Sequence, residues 1–128
     1  MCFEINAPWA TSDKIVAAYK VFYKTKRGLH SIYRGNSPVY DKNGDECDPE
    51  KSTAVGYKQG MWLRTRGEGF QAFTLKKYAE EWARIHANQV SYKIIKVKFR
   101  RVKGVGSVGI HGPSNCAYAA LEMYIPKN

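Results

Sequence analysis

The sequence predicts an α+β domain built on mostly antiparallel sheet, and three observations carry that prediction. Apolar and polar residues alternate through AAYKVFY and again through KIIKVKFRRV, the period of a strand with one buried face. Between them, residues 75 to 87 place their apolar side chains at steps of three and four, the period of an amphipathic helix. The chain has 128 residues, 44% of them hydrophobic and 25% charged, which suits one globular domain with one core and excludes wholesale disorder.

In chain order, AAYKVFYKTKRGLHSIYRG reads as a hairpin whose arms, 18 to 24 and 29 to 34, flank a basic turn ending at Gly28. Tyr19, Val21 and Tyr23 then share one face. The acidic stretch NSPVYDKNGDECDPEKS contains the tight-turn signal Asn43-Gly44. Asp41, Asn43 and Asp45 alternate like calcium-loop ligands, but the glycine stands fourth rather than sixth and Ser52 replaces the glutamate such a loop needs at its twelfth position. An exposed polar turn is expected there, and no metal. Residues 55 to 65 read as a strand carrying Tyr57, Met61 and Trp62, with bends at Gly56 and Gly60.

Thr74 is the expected N-cap of the helix, whose stripe is Leu75, Tyr78, Ala79, Trp82 and Ile85. In the strand at 93 to 102, Ile95, Val97 and Phe99 point one way, with Lys96, Lys98 and Arg100 opposite. LEMYIP is a short strand ended by Pro126.

The net charge of +10 is unevenly spread, because Glu122 is the sole acid after Glu81 while eight lysines and arginines follow it. Such a field draws phosphate-bearing ligands or acidic protein surfaces. Cys2, Cys47 and Cys116 are odd in number and lack a C-x-x-C spacing, so free thiols in a reducing cytosol are expected. No apolar run approaches the roughly 18 residues of a membrane helix, and MCFEINAPWATSD lacks the pattern of a signal peptide. The expectation is a protein of the host cell cytosol with no membrane partner. His30, His86 and His111 sit at no metal-ligand spacing, and no G-x-S-x-G is present.

Three short segments resemble, in order, the arginine, S-T-S and glutamate segments of the R-S-E class of ADP-ribosyltransferases: Tyr33-Arg34-Gly35, Gly69-Phe70-Gln71-Ala72-Phe73-Thr74, and Glu122-Met123-Tyr124-Ile125-Pro126. The resemblance implies Arg34 as phosphate and ribose anchor, Phe70 and Thr74 in the nicotinamide pocket, Glu122 as the catalytic acid, and NAD as the cofactor. Ala72 departs from the family's serine, and Ala120 stands where protein-modifying members carry a second acid. The run from MC through YKVF, GFQAF, IIKVKF and MYIP also looks like small accessory proteins of phages and large DNA viruses, which often act on host machinery by binding.

GVGSVG (104 to 109) spells G-x-G-x-x-G, but Gly112-Pro113 breaks the helix that a dinucleotide fingerprint requires next. A flexible partner-reading loop over 104 to 115 is expected instead. The leading expectation is a basic binding module without a cofactor that captures a nucleotide, a nucleic acid or a nucleic-acid-bearing host complex. Arg34, Lys96, Lys98, Arg100 and Arg101 supply charge, and Tyr33, Trp62 and Phe70 offer stacking faces. The alternatives are an active mono-ADP-ribosyltransferase and an inhibitor that covers an acidic host protein.

Overall fold

A computed structural model describes residues 3–12, 14–25, 28–31, 39–40, 46–47, 57–66, 69–86, 92–108 and 115–127. Strands β1 (Phe3–Ser12), β2 (Val16–Thr25), β3 (Gly28–Ser31), β4 (Val39–Tyr40), β5 (Glu46–Cys47), β6 (Trp62–Arg64) and β7 (Phe70–Phe73) precede helix α1 (Lys76–His86). The long β8 (Tyr92–Val108) and β9 (Ala117–Tyr124) follow. Every pairing is antiparallel, so the α+β prediction holds.

Strand β8 organises the sheet because it is bonded along both edges. One edge takes β2 against residues 92–99 and β1 against 102–108, while the other takes β9 along 98–106. β7 pairs with β9 over four residues and meets β2 through Tyr19 and Phe73, so β2, β8, β9 and β7 close into a ring. β6 extends β9 beyond β7, and β3 folds back on β2 as the expected hairpin.

Closure divides the apolar residues into two cores. Inside lie Ala18, Phe22, Leu29, Tyr57, Leu63, Phe70, Ile95, Val97, Phe99, Val102 and Met123. Outside, Val21, Phe73, Cys116 and Ala117 are covered by Ala79 and Ala83 of α1, with Tyr19, Tyr78, Trp82 and Ile94 packed around them. Both faces of β2 are therefore covered from Ala18 to Phe22.

Several expectations change. α1 buries a narrow stripe, because small Ala79 and Ala83 let the helix approach the sheet, and Leu75 and Ile85 stand 46% and 55% exposed on its flanks. Thr74 does not cap the helix. Its hydroxyl and its N–H both donate to the Cys116 carbonyl, at 3.3 and 2.8 Å, while the Leu75 carbonyl receives the first helical N–H groups from Tyr78 and Ala79. Among the described residues, the strand expected over 55–65 is confined to Trp62–Arg64, with Tyr57 in an isolated bridge to Leu29 and Gly60 turning at φ 79°. The glycine segment is not a loop over 104–108: Gly104 and Gly106 are buried strand residues paired with β1 and β9. β1 itself was not foreseen. Pro8 removes a backbone donor from it, and register shifts lie on both sides of that residue. The polar turn at Asn43-Gly44 lies outside the described residues, although β4 and β5 pair across it.

Among the described residues, the inner core holds one cation. Lys20 shares a face with Ala18 and Phe22, is 9% exposed, and donates from Nζ to the Gln71 carbonyl at 2.7 Å, tying β2 to β7 beside their backbone pair. Burial disfavours its charge and lowers its pKa from 10.5 to about 8. The unfolded chain therefore binds more protons than the native one between about pH 8 and 10.5, and stability rises with pH across that window. We expect a gain of up to about 3 kcal/mol there by chemical denaturation. Lys20→Met should be more stable than the parent at pH 7 and flat over the window; a variant less stable at pH 7 would mean that the ammonium's bond to Gln71 outweighs its desolvation.

Gly69 opens β7 at φ 86°, and a Cβ there would lie 2.6 Å from the Ala120 carbonyl oxygen. Both the left-handed backbone and the close approach of β9 require glycine. Gly69→Ala should cost about 2 kcal/mol or more in urea denaturation, and a neutral result would contradict this packing of β7 on β9.

Candidate functional site

The sheet's outward face away from α1 carries a compact group of charged and aromatic side chains, set by two rungs across β8, β9 and β6. One rung pairs Lys98 with Tyr124 and Tyr124 with Trp62; the next pairs Arg100 with Glu122 and Glu122 with Arg64. Cross-strand partners on one face stand close enough for their side chains to meet.

They meet as an interlocked set. Arg100 Nε donates to Glu122 Oε1 at 2.7 Å, and Arg64 Nε lies 3.3 Å from Oε2. The Arg100 guanidinium also lies 4.2 Å from the Trp62 ring centroid, and Trp62 leans on Tyr124 with centroids 5.7 Å apart. Lys98 Nζ sits over the Tyr124 ring at 5.7 Å. Glu122 is nearly buried, its side chain 9% exposed, whereas those of Arg100 and Arg64 are 31% and 54% exposed. One carboxylate is thus clamped between two guanidiniums, and the surrounding face stays positive.

A local irregularity adds to that charge. Phe99 and Val102 both point into the inner core, so the two residues between them both face outward. Arg101 achieves this with φ 57°, a left-handed conformation rare for a residue with a Cβ and costing on the order of 1–2 kcal/mol. β9 makes the matching step, since Ala120 and Met123 point inward around Leu121 and Glu122. Lys96, one outward position before Lys98 on β8, is exposed, as is Arg101.

Of the residues singled out from the sequence, Trp62, Lys96, Lys98, Arg100, Arg101 and Glu122 come together here. Phe70 does not. Its ring is 4% exposed in the inner core, edge-on to Tyr57, so it offers no stacking face. Thr74 lies on the other side of the ring, bonded to Cys116 near the start of α1. Tyr33 and Arg34 lie outside the described residues. Arg64 and Tyr124 were missed, and their signal was weak: Tyr124 is one of nine tyrosines, and only pairing with Glu122 distinguishes Arg64 from its neighbour Arg66. No family model, curated protein or solved structure matches the chain.

Among the described residues, no group of three or more His, Cys, Asp or Glu is placed to hold a metal ion, and no helix is long and apolar enough to cross a membrane. The site's chemistry is that of fixed positive charge beside aromatic rings. A substitution tests the clamp directly. Glu122→Gln removes the charge that both guanidiniums share, and it should lower stability by about 1–3 kcal/mol, as loss of charged hydrogen bonds at a nearly buried group does. An unchanged urea midpoint would show that the carboxylate carries no structural load.

Proposed function

We propose that the protein is a binding module that captures a phosphate-bearing ligand on the β8–β9–β6 face. The observation that carries this reading is the row Lys96, Lys98 and Arg101, exposed on one strand and flanked by Tyr124 and Trp62, with the nearby acid Glu122 neutralised by two arginines. Charge at such a face attracts phosphate, and aromatic rings beside it accept a base. The resemblance to small viral accessory proteins fits a binding role in a host cell.

The ADP-ribosyltransferase reading ranks below it. That chemistry needs a carboxylate facing the ribose to oppose developing positive charge, whereas both Glu122 oxygens are already engaged by Arg100 and Arg64. With NAD, we therefore expect no release of nicotinamide above the uncatalysed background.

Phosphate contacts release counterions, so affinity for an oligonucleotide should fall steeply as salt rises from about 50 to 200 mM. Replacing Lys96, Lys98 and Arg101 together by glutamine should weaken binding at low salt and flatten the salt dependence while leaving the melting temperature nearly unchanged. Arg100 is excluded from the set because it holds Glu122 and Trp62. Undiminished binding by the triple variant would remove this face from the function.

A further inference from the structure

We propose that this face binds single-stranded nucleic acid, with phosphates following Lys96, Lys98 and Arg101 along β8 and a base stacking on Tyr124. The inference rests on the phosphate-ligand reading above and names the ligand class.

Length argues for an oligomer. Residues 96 to 101 extend over about 16 Å of strand at about 3.3 Å per residue, more than the phosphates of one nucleotide span. Outward positions on a strand recur at about 6.6 Å, close to the separation of successive phosphates in an extended single strand. The outward step at Arg101 places a further cation at the end of this track, held there by a strained backbone rather than by ordinary alternation.

Neighbouring rings argue for a single strand over a duplex. Tyr124 lies on the strand next to the track, on the rung of Lys98. A duplex hides the flat faces of its bases, while a single strand exposes them to stack on an aromatic side chain. Two cations of this face, Arg100 and Lys98, differ in a way that suits exchange. Arg100 is anchored over Trp62 by Glu122, so it sets the ring that supports Tyr124. Lys98 is exposed and, among the described residues, engages only the Tyr124 ring. A phosphate arriving on the track draws its ammonium aside, and a base takes the uncovered ring face.

Fluorescence anisotropy at low salt would measure labelled oligothymidylates from dinucleotide to dodecamer, a duplex of matching length, and thymidine monophosphate as competitor. Affinity should climb with length until about four or more nucleotides are present, and the duplex should bind more weakly than the single strand. Tyr124→Ala should lose about tenfold in affinity for the single strand, and Tyr124→Phe should retain it, with thermal melts confirming that both variants fold. If the monophosphate competes as well as the dodecamer, or if the duplex binds equally and Tyr124→Ala is silent, the single-strand inference falls and the phosphate reading survives. If no phosphate-bearing probe binds while polyglutamate does, both fall, and an acidic protein surface is the partner.

Discussion

The structure depends on a conflict within β8. This strand supplies Ile95, Val97, Phe99 and Val102 to one core, and it is bonded to β2 and β1 on one edge and to β9 on the other. Strict alternation would turn Phe99 and Val102 to opposite faces, because they stand three residues apart, yet both belong to the inner core. The conflict is resolved at Arg100-Arg101, where two successive residues face outward between Phe99 and Val102, and at the paired step in β9 around Leu121-Glu122. The irregularity falls where cations gather, and it sets two successive arginines outward without shifting the β8–β9 register between Arg100 and Val102.

Closure also explains the buried lysine. β2 and β7 share one pair of backbone partners, so the ring is weakest at that seam. Lys20 spans it from inside, and its bond to the Gln71 carbonyl offsets part of the cost of placing an amine among Ala18, Phe22 and Ile95. With no carboxylate paired to it among the described residues, the neutral amine serves nearly as well as the ammonium, since either can donate one hydrogen bond. The seam is thus held by a group whose charge is dispensable, in contrast to the outer face, where charge is the point.

What was legible in the sequence was what periodicity encodes. The alternation of Ile95, Val97 and Phe99 with Lys96, Lys98 and Arg100 assigned both faces correctly, and the hairpin around Gly28 followed from its flanking runs. Periodicity fails where both faces are buried or where register changes. β2 reads as alternating but is covered by the ring on one side and α1 on the other, so nothing in its pattern marks Lys20 as buried. Gly104 and Gly106 looked like a loop because glycine lacks the side chain by which strands are recognised, although here they are buried residues of β8 paired with Ala119 and Ala117. The cationic half of the site was legible because charge is local in sequence. Its aromatic and glutamate half was not, because Trp62, Tyr124, Glu122 and Arg64 become neighbours only through pairing across strands about 60 residues apart.

Glu122 shows why a residue's type does not fix its role. A lone acid in a basic half of a chain invites a catalytic reading, since catalysis concentrates unusual residues. At the centre of three strands the same carboxylate does something simpler. Arg64 and Arg100 stand on either side of it on one rung, and without a shared anion their guanidiniums would repel each other across the strand between them. By pinning Arg100 it orients Trp62, and Trp62 in turn supports Tyr124. The acid therefore sets the geometry of an otherwise positive surface, and a face ordered in advance loses less conformational entropy when it takes a flexible anionic chain.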